Sequence, residues 1–260
     1  MNRSSKTRRA ADIADWIQQQ VSAASARGVV VGLSGGLDSA VVVRLCQMAM
    51  PSRVLAAVLP CHSDARDEKD ANLVASHFGV PIVRVDLAPT YDLLVNDLKT
   101  TFLQIPDDQA KAAVPSTDLH AHVPPANVKP RLRMSVLYYI ANSLNYLVVG
   151  TGNRSELTIG YFTKYGDGAA DLLPLGRLLK SEVRELAVDL DIPQSIIDKP
   201  PSAGLWSGQT DEDEMGFSYS DLERYLDDGP YAVAPALAMR IERLIRSTEH
   251  KRVQALMPDA

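Results

Sequence analysis

Residues 34 to 39 read Ser-Gly-Gly-Leu-Asp-Ser, directly after a β-branched run from Val29 to Leu33 and at the start of a helix-compatible stretch through Leu45. That position suits an anion. Glycines without β-carbons let the backbone come close to a phosphate, and a following helix presents free N–H groups and the positive end of its dipole. The hydroxyls of Ser34 and Ser39 add neutral donors. No lysine precedes the final serine, so the element is not the loop that handles a γ-phosphate. Asp38 stands there instead. A carboxylate would repel phosphate unless a cation lay between them, which points to Mg2+ bridging Asp38 and a polyphosphate. The plainer alternative is a tight glycine turn capped by serine.

The elements that must hold this loop are legible as an alternation. Ile13, Trp16, Ile17 and Val21 recur at helical spacing, giving an opening helix over residues 8 to 26 that stops at Arg27-Gly28. Runs at 29–33, 54–59, 82–85 and 146–149 read as strands buried on both faces. Helix-compatible sequence separates them, with helices expected at 91–102, 134–144 and 180–190, the last stopped by Ile192-Pro193. Strands alternating with helices mean a parallel sheet with right-handed crossovers. Two long polar connections, 104–125 and 199–218, read as functional or mobile loops. No repeat or low-complexity linker marks a boundary, so residues 1–260 form one domain.

A second element, Gly150-Thr151-Gly152-Asn153-Arg154-Ser155-Glu156, follows the fourth strand. In a doubly wound sheet, Thr151 and Glu156 reach the same carboxyl-end crevice as the first loop, which places Glu156 opposite Asp38. Two carboxylates from separate loops can share Mg2+ while phosphate oxygens and water fill its other positions. Taken alone, Glu156 reads equally well as a first-turn acid favoured by a helix dipole.

The Ser34–Ser39 element resembles that of the ATP pyrophosphatase group, whose members split ATP between its α and β phosphates and transfer AMP to a substrate oxygen. Three further blocks, 127–133 (Asn-Val-Lys-Pro-Arg-Leu-Arg), 150–156, and 163–168 (Thr-Lys-Tyr-Gly-Asp-Gly) with Asp171, narrow the likeness. Together the four closely resemble NAD synthetases, over a span from Ala11 to Arg252. The resemblance implies an α/β fold with a doubly wound parallel five-stranded sheet flanked by helices, adenine nucleotide alpha-hydrolase-like and Rossmann-like. It implies Gly32, Leu33, Ser34, Gly35, Gly36, Leu37, Asp38, Ser39, Thr151, Lys180 and Ser202 at ATP. Serine at 202 departs from the threonine expected in some members, though the hydroxyl survives. Asn127, Arg131, Lys164, Asp171, His250 and Lys251 fall to deamido-NAD, and Asp38 and Glu156 to Mg2+. Asp38, Lys180 and Thr151 are the expected catalytic groups.

Those roles make chemical sense. Lys180 can neutralise charge on the α-phosphate and departing pyrophosphate, although a lysine before Glu182 also reads as a solvated first-turn residue. Arg131 and Lys164 suit the dinucleotide's phosphates. Residues 201–216, with Trp206, Gln209, Thr210 and the acidic run 211–214, resemble a mobile loop near the site or, read blandly, a solvated charged loop. The activity implied is ATP-dependent amidation of deamido-NAD by ammonia through an adenylate, giving NAD, AMP and pyrophosphate. Relatives that use glutamine carry an added amidase domain with a catalytic cysteine, for which 260 residues leave no room; ammonia is the expected donor unless a separate amidase supplies it. A homodimer with the dinucleotide at its interface is likewise implied. Two rivals stand beside this reading: another ATP pyrophosphatase-type enzyme acting on tRNA or a different carboxylate, and a nucleotide-binding module without catalysis.

Composition is ordinary for a globular protein, with 46% hydrophobic and 23% charged residues. A net charge of −5 offers no field for nucleic acid. No apolar run approaches a membrane span and the basic N-terminus leads into no signal core, so a cytoplasmic protein is expected. Cys46 and Cys61 read as packing residues. The His120-x-His122 pair lacks further ligands at zinc spacing.

Overall fold

The computed structural model describes residues 3–102, 104–105, 118–206, 208–255 and 257–258, with the side chains of 3–7, 102 and 118–122 outside that description. Helix α1 (Arg3–Ala23) leads into β1 (Gly28–Gly32), α2 (Leu37–Ala49), β2 (Val54–Val58), α3 (Ala65–Phe78), β3 (Ile82–Arg84) and α4 (Ala88–Phe102). Then come α5 (Asp118–Leu144), β4 (Tyr146–Val149), α6 (Arg154–Ile159), α7 (Lys180–Asp189) and α8 (Gln194–Ile197). The chain closes with α9 (Asp211–Met215), α10 (Tyr219–Asp228) and α11 (Pro235–Ser247).

The strands pair in parallel in the order β3-β2-β1-β4. Chain order reverses beside β1, so the loops after β1 and β4 open on one crevice, the usual ligand position of such sheets. Val29, Val30 and Val31 are fully buried, as a central strand covered on both faces requires. One face packs against α1, α2, α3 and α7 through residues such as Ile17, Val41, Leu45 and Val183. The other packs against α4 and α5 through Tyr91, Ala141, Leu137 and Ile140. A smaller cluster of Ile159, Met215, Phe217, Tyr219, Leu222 and Ile241 joins α6, α9, α10 and α11.

Three expectations need correction. The described sheet has four strands, not five: the fifth position shrinks to one parallel bridge between Val149 and Leu172. There Gly150 N–H donates to Leu172 O and Asp171 N–H donates to Val148 O, and Pro174 follows with no N–H to extend a ladder. The stretch 118–125, taken as loop, is helical, because α5 runs through Pro124, Pro125 and Pro130. Burial of Ala126, Pro130 and Ala141 along that helix overrides the prolines' poor helical propensity. The third is the acidic run 211–214, which forms α9 with Thr210 as its N-cap rather than continuing a loop. The remainder of the first long connection, 106–117, and the side chains of His120 and His122 lie outside the described residues.

Candidate active site

The loop after β1 builds its own scaffold of hydroxyl contacts. Ser39 Oγ donates to Gly36 O at 2.9 Å and sits 3.0 Å from Ser34 Oγ, while Gly36 N–H donates to Ser34 Oγ at 3.2 Å. Gly35 has φ +77°, and a β-carbon there would come within 2.3 Å of Asp67 O, so only glycine fits. The loop turns into α2, whose first turn carries Asp38.

Across the crevice, Asn153 caps α6. Its side-chain oxygen accepts from Glu156 N–H at 3.1 Å, and Glu156 Oε2 accepts from Asn153 N–H at 3.2 Å, a reciprocal capping box. The same Asn153 donates from Nδ2 to Asp38 Oδ1 at 3.1 Å. Each carboxylate thus spends one oxygen on Asn153. Their other oxygens converge on the Lys180 ammonium, which bonds Asp38 Oδ2 and lies 3.1 Å from Glu156 Oε1. Lys180 is buried at the first turn of α7, where its N–H donates to Ser155 Oγ. Burial pushes the Glu156 carboxyl up to about 7. Burial alone would lower Lys180, but the charges of Asp38 and Glu156 outweigh it and hold the ammonium above the ordinary lysine range. Lys180 is therefore no solvated first-turn lysine.

Behind this trio, Tyr219 on α10 donates to Asp211 Oδ2 at 2.8 Å, with its oxygen 3.4 Å from Glu156 Oε1. Asp211 is buried, which raises its pKa, and among the described residues its Oδ1 has no hydrogen-bond partner. The part of the acidic run nearest the site is thus enclosed, not solvated. Gln209 ties the preceding turn down by accepting from Leu205 N–H and donating to Glu214, and Lys129 donates to Leu205 O at 2.7 Å.

These groups line a cavity of about 460 Å³. Gly32, Leu33, Ser34, Gly36, Leu37, Asp38, Ser39, Thr151, Glu156, Lys180 and Ser202 all border it, as do Asn127 and Lys251. Gly35 is turned away. The remaining dinucleotide candidates lie elsewhere. Lys164 lines a second cavity of about 340 Å³ with Tyr165 and Lys251, and its ammonium donates to His250 O. Arg131 is exposed and donates to Lys164 O, and His250 is exposed beside Ser247. Asp171 borders neither cavity, since its carboxylate accepts from Val148 N–H and the Tyr138 hydroxyl.

The donor set fits Mg2+. Among the described residues no cluster of three or more His, Cys, Asp or Glu could hold a metal alone. Two hard carboxylates suit an ion that keeps several waters and takes its remaining ligands from substrate phosphates. Sequence reasoning gave no role to Asn153, Tyr219, Asp211, Lys199 or Arg133. Asn153 three residues before Glu156 was the readable signal, since that spacing suits a helix cap. Arg133 borders the cavity and is held by Leu59 O and Ser63 Oγ, contacts between α5 and the end of β2 that only the folded chain brings together.

The family model described as NAD synthase matches residues 9–255. The chain belongs to the NAD synthase family. Within it, the chain is 47% identical over 240 residues to the NH(3)-dependent NAD(+) synthetase of Carboxydothermus hydrogenoformans, covering 92% of each protein. It is 43% identical to the protein of the same name from Syntrophomonas wolfei, covering 92% of this chain and 90% of that one. Among solved structures, the NMN synthetase of Francisella tularensis superposes with a TM-score of 0.87 at 35% identity, over 98% of this chain and 99% of that one. The NH3-dependent NAD synthetase of Campylobacter jejuni superposes with a TM-score of 0.77 at 28% identity over the whole of both chains. The NAD synthase membership accounts for the parallel α/β fold and for the four sequence blocks; it leaves each residue's role to be argued from this chain.

Proposed function

We propose that this chain is an ammonia-dependent NAD synthetase: it joins AMP from ATP to the nicotinate carboxylate of deamido-NAD, and ammonia then displaces AMP to leave the amide. The observation that carries the reading is the convergence of Asp38, Glu156 and Lys180 at the mouth of the glycine loop. A carboxylate anion resists attack by ammonia and its oxygen is a poor leaving group, so it must first be activated.

Mg2+ held by Asp38 and Glu156 would supply neutralisation of the polyphosphate when bound. Loop N–H groups and the hydroxyls of Ser34 and Ser39 hold phosphate oxygens at the start of α2. Lys180, freed from the two carboxylates as the nucleotide arrives, faces the α-phosphate and stabilises the charge that builds there. Asn153 keeps both carboxylates aimed. Thr151 and Ser202 border the same space and orient the nucleotide, and residues 199–205 with Gln209 cover it and keep water from the adenylate. No side chain needs to act as a covalent nucleophile.

Lys251 borders both cavities, so it marks where the dinucleotide passes from one to the other. The exposure of Arg131 and His250 fits a surface completed by a second copy of the chain, and we take the active form to be a homodimer. No helix among the described residues is long and apolar enough to cross a membrane, which agrees with action in the cytoplasm on small molecules, with ammonia free or delivered by a separate amidase.

A second reading is amidation of the smaller nicotinate mononucleotide, favoured by the high superposition with the NMN synthetase. The dinucleotide is preferred because curated relatives named NH(3)-dependent NAD(+) synthetase reach 47% identity over 92% of the chain, against 35% for that structure. One assay tests both: protein, Mg-ATP and ammonium with either acid, scored for AMP and amide together. Equal amounts of AMP and NAD support the first reading, and faster turnover of the mononucleotide supports the second. AMP without either amide points to another adenylating enzyme, and no product at all defeats catalysis by this chain.

A further inference from the structure

Lys199, so far only the first residue of the covering segment, makes three bonds that cross between elements. Its ammonium donates to Asp67 Oδ1 at 2.8 Å and Asp70 Oδ2 at 2.6 Å, both on α3, and to Gly35 O at 3.3 Å in the glycine loop. The side chain is only about a quarter exposed and borders the main cavity.

We propose that Lys199 is a positioning residue for ATP, which clamps the Gly35 carbonyl against α3 and so aims the loop's N–H groups at the triphosphate. The inference rests on the functional reading above and deepens it. In a trans peptide the C=O and the next N–H point in opposite directions. Holding Gly35 O on Lys199 turns Gly36 N–H to the opposite side, where Ser34 Oγ on the cavity wall accepts from it. Without the ammonium, the Gly35–Gly36 peptide is free to rotate, because glycine tolerates both signs of φ. The positive charge also offsets Asp67 and Asp70, two carboxylates behind the loop that would repel polyphosphate.

A second consequence concerns the segment that follows. Lys199 precedes Pro200 and Pro201, whose fixed φ makes this stretch stiff, and Pro201 O accepts from Asp211 N–H. Ser202 comes next. The same side chain therefore anchors the start of residues 199–210 to the phosphate loop, so that loop geometry and cover are set together.

The test is equilibrium binding of Mg2+ with a non-hydrolysable ATP analogue to the full-length protein, alongside KM values for ATP, deamido-NAD and ammonium. Lys199→Met weakens the analogue about tenfold and raises KM for ATP alone, leaving KM for deamido-NAD and ammonium within twofold. Lys199→Arg restores most of the loss. Lys199→Ala, which removes the ammonium without placing a long apolar side chain there, weakens the analogue similarly and decides the matter should Lys199→Met fail to fold. A wild-type protein that turns over while both folded variants bind the analogue normally overturns the inference alone. A wild-type protein that binds no analogue overturns the functional reading with it.

Discussion

The side-chain amide of Asn153 donates to the Asp38 carboxylate at 3.1 Å, although the two residues stand 115 positions apart. Since Asn153 also caps the helix that carries Glu156, one amide side chain fixes both acids of the site. Replacing it with alanine removes a helix cap and an orienting bond at once. Asn153→Ala costs about 1 kcal/mol of stability, read from urea unfolding, and lowers turnover by about 10- to 100-fold at fixed Mg2+, as loss of a partner behind metal ligands does. Unchanged turnover in a variant that shows the stability loss would reduce Asn153 to a cap.

Lys180 lies between Asp38 and Glu156, so on the proposed reading Mg2+ would compete with the lysine for that place. Lys180→Met leaves two enclosed carboxylates without their partner and destabilises the protein by about 3 kcal/mol. Millimolar Mg2+ then raises the melting midpoint of the variant more than that of the wild type, because an ion that binds only the folded state stabilises it. Equal responses to Mg2+ would show that the lysine does not hold the ion's position.

Asp171 accepts from Val148 N–H and from the Tyr138 hydroxyl, so part of its role is to bind α5 to β4. Burial, followed by the neighbouring Asp171 charge, raises the Tyr138 phenol to about 12. A group raised in the folded state contributes stability that is complete below its unfolded value near 10 and is lost as pH rises towards 12. Tyr138→Phe flattens that alkaline loss, and Asp171→Ala lowers stability by about 1 kcal/mol at neutral pH. Urea midpoints at pH 8 and pH 11 read both, and identical pH dependence in wild type and Tyr138→Phe would contradict the assignment.

The parts of this architecture that sequence made legible are those set by local chemistry. A glycine-rich run between a β-branched strand and a helix has few other uses, and Asp38 and Glu156 face each other because both follow strands of one parallel sheet. The helical start of α5 was hidden by Pro124, Pro125 and Pro130, whose cost is offset by burial that no local window reveals. The expected fifth strand failed because Pro174 follows a single bridge. Lys180 was ambiguous for a different reason: a lysine at a helix start reads the same exposed or enclosed, and only the fold shows two carboxylates waiting for it. Lys199 and Asp211 fell inside stretches read as loop and nothing singled them or Tyr219 out, since Lys199 pairs with α3 and Gly35, and Tyr219 approaches Glu156, far away in the chain.

The central claim is that Asp38 and Glu156 act together in forming the adenylate. Rapid-quench measurement of pyrophosphate released on mixing enzyme with Mg-ATP and deamido-NAD, before ammonia is added, reads that step alone. In Asp38→Asn and in Glu156→Gln, both near-isosteric, the rate falls by about 100-fold or more, while circular dichroism shows the fold retained. Pyrophosphate release within a few-fold of wild type in either folded variant would contradict the account.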